Sequence, residues 1–168
     1  MSNTGLAGIG SQLLRQEEML QFDHFTNWDA WDLGCVFVEE IRSAGIDLAV
    51  CIRKLNGNIL FQFATEKTCL DNQIWMQRKF RTVSLMERSS LVAAVQAKIK
   101  NQGVAFHGLD EKDYAFCGGG FPIRVRGAGM AAVVTVSNLP NVKDHGFIVR
   151  CLAKYLKVTG VPEIDAVI

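Results

Sequence analysis

Apolar residues recur at helical spacing in five parts of the chain. Thr26 begins the clearest helix, because its spacing to Asp29 is that of a capping box, and Gly45 ends it. A second long helix places Met76 and Phe80 on one face. The pattern predicts helices at residues 11–20, 27–44, 68–87 and 90–100, and a last helix that begins at residue 141.

Four segments have the pattern of β-strands. Residues 47–53 and 58–64 flank Asn56-Gly57, a pair that favours the positive φ angles of a tight hairpin turn. Residues 116–126 contain three consecutive glycines, and residues 130–137 are apolar on both faces, which is typical of a central strand. Because tight hairpins join antiparallel strands, we expect an α/β (α+β) fold in which helices cover a mostly antiparallel sheet of about five strands.

The chain divides into one domain and two terminal segments. We expect residues 1–20 to form a flexible N-terminal extension whose only ordered part is the short helix at 11–20. Residues 21–158 hold all the other periodic segments and form a single α/β domain, as expected for a chain of 168 residues. The helical pattern lapses at Gly160 and Pro162, so residues 159–168 are interpreted as a tail outside the domain.

Charge and hydropathy exclude several classes of function. The chain has 18 Lys and Arg residues against 17 Asp and Glu residues, so its net charge does not favour binding to nucleic acid. No apolar stretch approaches the roughly 20 residues that cross a bilayer, and no signal peptide is evident, so we expect no membrane insertion and a cytoplasmic location. The cysteines are widely spaced and are interpreted as buried thiols in a reducing compartment, not as metal ligands. They are Cys35, Cys51, Cys69, Cys117 and Cys151.

Three segments are informative in combination. They are Asp71-Asn72-Gln73-Ile74-Trp75 with Arg78-Lys79, Gly118-Gly119-Gly120-Phe121-Pro122-Ile123-Arg124-Val125, and Val134-Thr135-Val136-Ser137-Asn138-Leu139-Pro140 with Asp144-His145. Together they resemble the haem-degrading-domain superfamily of GlcG/HbpS type, in its uncharacterised bacterial and fungal branch, over roughly residues 20–157. The resemblance implies a profilin-like sandwich, a ring-like or stacked homo-oligomer, and binding of haem or a small metabolite. It assigns the role of haem ligand to no residue of this chain.

The second long helix carries polar candidates for a binding site. Asp71, Trp75 and Lys79 are spaced four residues apart and share one face, with Arg78 beside them. A tryptophan among charged residues is favoured in a subunit interface or at the rim of a ligand pocket. Alternatively, it lies over the domain surface within an i, i+4 network.

The glycine run is a second candidate. Gly118, Gly119 and Gly120 permit positive φ angles and a row of amide N–H groups that could hold a carboxylate or a phosphate. The alternative is a strand bulge or a tight packing site. Arg124 on the same strand faces away from the apolar residues, where it is either solvated or paired with an acid or a ligand.

The first turn of the last helix contains Asp144 and His145. Asp144 is expected to cap the helix, together with Asn141, because a carboxylate gains from the helix dipole there. His145 could serve as a general acid or base, or as a ligand for haem or a metal. No nucleophile or second metal ligand accompanies it in the sequence, so we assign no catalytic residue and no metal site.

The C-terminal tail alternates acidic and apolar residues. Such an end fits grooves that pair carboxylates with basic donors and bury the last side chain, and copies on an oligomer would gain avidity. The alternative is an unstructured end. The residues of the expected partner-binding tail are Glu163, Ile164, Asp165, Val167 and Ile168.

These observations favour a non-enzymatic, homo-oligomeric cytosolic protein that binds a small ligand or a protein partner. Its pocket is expected near Gly118 to Gly120, Arg124, Lys79 and His145. One alternative is an adaptor in protein targeting that binds a co-chaperone or targeting factor through its tail. The other is a haem-binding or haem-degrading protein, which rests on the resemblance alone.

Overall fold

The computed structural model describes residues 2–165, which form five helices and one four-stranded antiparallel sheet. None of these helices has the length and apolar character needed to cross a membrane. Along the chain the elements are α1 (Asn3–Met19), α2 (Asn27–Ala44), β1 (Ala49–Lys54), β2 (Ile59–Ala64), α3 (Leu70–Met86), α4 (Ser90–Lys100), β3 (Gly120–Val125), β4 (Gly129–Ser137) and α5 (Asn141–Leu156).

The sheet has the strand order β2-β1-β4-β3, with antiparallel pairing throughout. The mixed α/β fold is therefore confirmed, but the expected count of about five strands is wrong by one within the described residues. The segment between α4 and β3 forms a single 3₁₀ turn at Val104–His107 and further turns, and it adds no strand. Both hairpins form, and Gly57 takes a φ of 93° at the tip of the first.

Helices cover both faces of the sheet. On one face, α2 and α5 pack Phe37 and Ile148 against inward side chains of the central strands, including Val134. On the other face, Met76 of α3 packs against Cys51 of β1. Strand β4 is buried on both faces, as its sequence predicts, because α5 and α3 lie on opposite sides of it.

The helix ends follow the sequence signals with one exception. Thr26 and Asp29 form the predicted capping box, and Gly45 ends α2 in the left-handed conformation with a φ of 61°. Asn141 was expected to cap α5, but Pro140 occupies that position. The Asn141 side chain instead accepts a hydrogen bond from the Gly118 amide, which ties the helix to the glycine run.

The helix of the N-terminal segment is longer than expected. Helix α1 begins at Asn3 instead of near residue 11. Its residues Leu6, Ile9 and Leu13 are buried, and they pack against a cluster from α4 that includes Val92. Interspersed glycines dilute the apolar pattern of α1 in the sequence, which explains the difference.

The described part of the C-terminal segment also packs against the domain. Val161 contacts the main core, and Ile164 contacts the α1–α4 cluster. Gln16 of α1 donates a 2.7 Å hydrogen bond from Nε2 to the Pro162 carbonyl. Glu163 and Asp165 stay exposed. Val167 and Ile168 of the expected partner-binding tail lie outside the described residues.

Candidate functional site

A buried ion pair joins α3 to α5. Lys79 Nζ lies 2.8 Å from Asp144 Oδ2, and the two side chains are 4% and 3% exposed. The same ammonium donates a 2.9 Å hydrogen bond to the Val136 carbonyl of β4. Asp144 Oδ1 accepts a 3.0 Å hydrogen bond from the Leu139 amide, just before the helix. Both charges are thus paired and hydrogen-bonded, as burial requires.

The electrostatics of the pair are dominated by its burial. Desolvation raises the pKa of the Asp144 carboxyl, and the Lys79 ammonium and the Leu139 amide oppose that rise. The Lys79 ammonium already donates to two acceptors within the protein, so its charge is compensated by Asp144 and not offered to a ligand. The pair therefore fixes the position of α5 against α3 and β4.

The glycine run packs tightly around this pair. Gly119 has a φ of 105°, and a Cβ placed on it would lie 2.6 Å from Lys79 Nζ. Gly118 donates its amide to the Asn141 side chain, and Gly120 donates a 2.9 Å hydrogen bond to Ser90 Oγ. Two of the three amides are therefore used within the protein. Of the two interpretations of the glycine run, this arrangement resembles the tight packing site more than the open anion site.

His145 is fully enclosed. Burial lowers its pKa to about 3, so the imidazole is neutral at physiological pH. Its Nε2 lies 2.8 Å from Gln16 Oε1, which can only accept, so Nε2 carries the proton. Nδ1 is buried and has no hydrogen-bond partner within residues 2–165. This histidine cannot exchange protons with a substrate or reach a ligand unless α1 moves away.

An open cavity lies directly beside the buried pair. It measures about 550 Å³ and is formed by α3, α4, the segment after α4 and the start of α5. We call it the α3–α4 cavity. Trp75 and Arg78 line one side of it, and Tyr114, Cys117 and Asn141 line another. Cys117 and Asn141 flank the glycine run, which connects the cavity to the buried centre.

Trp75 and Arg78 form the chemical centre of the α3–α4 cavity. The Arg78 guanidinium carbon lies 4.1 Å from the centroid of the Trp75 ring, the geometry of a cation–π contact. Arg78 Nη2 donates a long 3.5 Å hydrogen bond to the Tyr114 carbonyl. No carboxylate of the described chain lies within 4.0 Å of this guanidinium, so donors remain for an acidic group from outside.

The thiol of Cys117 faces this environment in its protonated form. Burial raises its pKa, the nearby Lys79 ammonium opposes the rise, and the Asp144 carboxylate adds to it. A protonated thiol is a weak nucleophile and a weak metal ligand. The Cys117 thiol is therefore not an activated nucleophile.

The structure thus divides the predicted site residues into three groups. Trp75 and Arg78 line an open cavity. Arg124 lies elsewhere, where it donates to the Glu87 carbonyl beside a separate cavity of about 420 Å³, and Asp71 is exposed at the first turn of α3. The enclosed group is Lys79, Gly118, Gly119, Gly120, Asp144 and His145.

Sequence reasoning missed several residues of the same region. The sequence identifies Asn141 only as a cap and Cys117 only as a buried thiol in the strand predicted at 116–126, and it gives Tyr114 no role. Gln16, the partner of His145, lies in the short helix predicted at 11–20, to which the sequence assigns no functional role. A polar residue in an otherwise apolar helical stripe, as Gln16 is between Leu13 and Leu20, is the signal that could have found it.

These features define a small α/β protein with an enclosed polar centre beside an open, arginine-lined cavity. The model of the family described as haem degrading protein HbpS-like matches residues 25–153, and the chain belongs to this family. The resemblance noted in the sequence is thereby confirmed.

Relatives and solved structures agree with this assignment. A UPF0303 protein of Yersinia enterocolitica is 34% identical over 147 residues, which is 87% of each chain. A UPF0303 protein of Yersinia pseudotuberculosis is 34% identical over 143 residues, 84% of this chain and 83% of that one. The crystal structure of Ybr137w protein superposes with a TM-score of 0.80 and 28% identity, covering 88% of this chain and 87% of the other.

Two more distant structures share the fold. HbpS has a TM-score of 0.62 and 20% identity, with 81% of this chain and 92% of that chain covered. A PduOC:heme complex has a TM-score of 0.59 and 14% identity, with 77% and 93% covered. At this level of identity the likeness concerns the fold.

Proposed function

We propose that the protein is a non-enzymatic, homo-oligomeric binding protein that takes a flat, acidic small molecule into the α3–α4 cavity. The observation that carries the proposal is the Arg78 guanidinium lying 4.1 Å above the Trp75 ring. An aromatic face stacks on a flat molecule, and a guanidinium pairs with a carboxylate or a phosphate. The cavity of about 550 Å³ falls within the usual range for small-molecule sites.

The rest of the cavity wall supports the same class of ligand. Ala94, Ala97 and Phe116 provide apolar surface, and Lys98 adds a second cation. Glu111 is the acidic side chain among the described residues of the wall. The balance of apolar and cationic groups favours an amphipathic anion over a sugar or a cation.

Self-association is supported by the exposed tryptophans of α2. Trp28 is 78% exposed and Trp31 is 54% exposed in the single chain. Because tryptophan is enriched in protein interfaces, this exposure favours a second subunit covering the two rings. We expect a particle several times the 18.6 kDa of one chain in light scattering. A monomer at micromolar concentration would contradict this part of the proposal.

Tryptophan fluorescence tests the ligand site. The double variant Trp28→Phe, Trp31→Phe keeps Trp75 as its reporter, since the chain has three tryptophans. Anilinonaphthalene sulfonate, a flat aromatic anion, should quench Trp75 on titration, and Arg78→Gln should weaken that binding by about tenfold.

Arg81→Gln is the matched control for this titration. Arg81 lies on the same helix, and its guanidinium is already paired with Asp113. It should leave the affinity within about twofold, because its donors are occupied. Equal binding by the two variants would show that the probe does not use the α3–α4 cavity. Native mass spectrometry of the protein from its own cell would then identify any retained molecule.

The haem alternative requires an axial ligand that can reach the iron, and the three histidines lie in different surroundings. His145 is enclosed and engaged by Gln16. His107 lines a cavity of about 90 Å³, too small for a tetrapyrrole, and His24 is exposed beside Asp29. The α3–α4 cavity is large enough for a flat macrocycle, but its candidate axial ligands are Tyr114 and Cys117. The positions of the three histidines therefore favour binding of a small anion over haem binding through a histidine.

The adaptor alternative depends on the exposed acids of the tail. Glu163 and Asp165 are exposed, so a basic groove of a helical-repeat co-chaperone could reach them. Deleting the whole tail would also remove the packing of Ile164 and the hydrogen bond to Pro162. The double variant Glu163→Gln, Asp165→Asn avoids that problem, and undiminished capture by a co-chaperone repeat domain would refute the adaptor function.

A further inference from the structure

A second surface with distinct chemistry lies between β2 and α3, away from the enclosed centre. It is a groove of about 650 Å³ between the edge strand and the exposed side of the helix. We call it the β2–α3 groove. Its apolar lining residues are Ile59 of β2 and Leu70 and Ile74 of α3, which are 46%, 74% and 51% exposed. Exposed apolar side chains that line one groove mark an interaction site.

Strand β2 forms the open edge of the sheet. It pairs with β1 on one side, and the sheet order places no described strand on its other side. Edge strands are usually protected by charged side chains, proline or a bulge that turns them away. The six residues of β2, Ile59 to Ala64, contain no charge and no proline, and the irregularity in the pairing with β1 is confined to the end near Ile59, so residues 61–64 form a regular edge. The edge is therefore suited to accept another strand by main-chain hydrogen bonds.

The rim of the groove is cationic. Arg53, Arg78, Arg81 and Lys112 line it, and no acidic side chain is among its described lining residues. Arg81 and Lys112 are paired with Asp113 and Asp110, so their charge is largely compensated.

Arg53 has no such acidic partner. Its guanidinium lies 5.0 Å from the Phe80 ring centroid and donates to the Gln77 side chain. Its Nε is buried without a hydrogen-bond partner among the described residues, as is Nε of Arg78. No described carboxylate lies within 4.0 Å of Arg53, so an incoming acid would meet an uncompensated cation.

We propose that the β2–α3 groove binds an extended acidic-apolar peptide segment of a partner protein, which adds to β2 as a further strand. Alternate side chains of such a segment would point toward the groove and away from it. Of the side chains that point toward the groove, the apolar ones would contact Ile59, Leu70 and Ile74, and an acidic one would pair with Arg53. Arg78 lines both this groove and the α3–α4 cavity, whereas Arg53 and Leu70 line the groove alone, so their variants test the peptide site separately from the small-molecule site.

A second copy of the chain is a less suitable occupant. Edge-to-edge pairing of two β2 strands about a two-fold axis would bring the two cationic rims together. Facing like charges are unfavourable in an interface, whereas an acidic segment neutralises them. Charge complementarity therefore selects the acidic peptide.

Fluorescence anisotropy with labelled peptides tests the proposal on the full chain. The probe is a six-residue peptide, as long as β2, in which valine, glutamate and valine alternate with threonine, so that the apolar and acidic side chains lie on one face. The same peptide with lysine in place of glutamate is its charge control. We expect the acidic peptide to bind, to weaken as salt is added, and to protect β2 amides from hydrogen exchange.

Two pairs of variants locate the binding. Arg53→Gln and Leu70→Asp should each weaken the acidic peptide by about tenfold. Arg42→Gln, at the end of α2, and Leu85→Asp, an exposed apolar residue at the far end of α3, should change it by less than about twofold. Leu70 is largely exposed, so its variant should fold normally.

Three results would overturn the proposal: no binding of the acidic peptide, equal binding of the basic peptide, or affinity unchanged in Arg53→Gln and Leu70→Asp. A smaller particle for Leu70→Asp in light scattering would also overturn it, because the groove would then hold a second copy. Each result leaves the Trp75 fluorescence titration unaffected, so the two proposals fail separately.

Discussion

Replacing Lys79 by methionine should strongly destabilise the protein. The substitution keeps most of the side-chain volume and removes the charge, so it isolates the ion pair from packing. Asp144 would remain buried with the Leu139 amide as its remaining hydrogen-bond donor among the described contacts. Breaking a buried pair from one side costs about 3–5 kcal/mol. For a chain of this size we expect a fall in Tm on the order of 10 °C.

The pH dependence of this variant gives a second test. Burial already raises the pKa of Asp144 above its ordinary value of 3.8, so near that pH the folded protein binds more protons than the unfolded chain. The contribution of this carboxyl to stability is therefore complete at low pH and falls as pH rises through the raised pKa. Without the Lys79 ammonium, that pKa rises further. The destabilisation of Lys79→Met should then be smaller at about pH 5 than at about pH 8.

Chemical denaturation at these two pH values measures both effects. Lys112→Met is the matched control, because Lys112 lies the same 2.8 Å from Asp110 but on the surface, and it should leave Tm nearly unchanged. The double variant Lys79→Met, Asp144→Leu should recover much of the lost stability, since both charges are gone. A loss below about 1 kcal/mol for Lys79→Met at the higher pH would refute the reasoning.

Three other substitutions probe the enclosed centre by the same denaturation assay or by spectroscopy. Gly119→Ala should lower the free energy of unfolding by about 3 kcal/mol, because its φ is 105° and the added Cβ would meet Lys79. Its control, Gly57→Ala in an open turn, should lower it by about 1 kcal/mol. Equal losses would contradict the packing argument. Gln16→Leu should lower the free energy of unfolding by about 1–3 kcal/mol, because it leaves the His145 N–H without an acceptor. An unchanged free energy of unfolding would contradict the assigned hydrogen bond. His145→Gln should leave the Soret band of a hemin titration unchanged, and loss of that band would show that this histidine reaches the iron.

Most of the secondary structure could be predicted because local signals set it. The capping box at Thr26, the Asn56-Gly57 turn and the doubly apolar strand at 130–137 each act over a few residues. The start of α1 was missed because glycines dilute its apolar stripe. The strand count was too high because the sheet was expected to hold about five strands, although only four segments have a strand pattern and the sheet has four strands.

The candidate site was predictable only in part, for a physical reason. Lys79, Gly119 and Asp144 lie side by side in the structure. What the sequence could not show is that they satisfy one another, because hydrogen-bond partners 65 residues apart are set by the packing of helices on the sheet. The same applies to His145, whose partner Gln16 is 129 residues away. The open cavity beside them depends on the turns between α4 and β3, where no periodicity guides a prediction.

The amide of Gln16 joins the two ends of the chain through one side chain: its nitrogen donates to Pro162, and its oxygen accepts from His145. Both Gln16 and Pro162 fall outside the stretch matched by the family model, residues 25–153, whereas His145 falls inside it. The two terminal segments should therefore be inherited as a unit. A homologue that has lost the first helix would uncover the position of this histidine to solvent, and selection there should favour a residue that tolerates water.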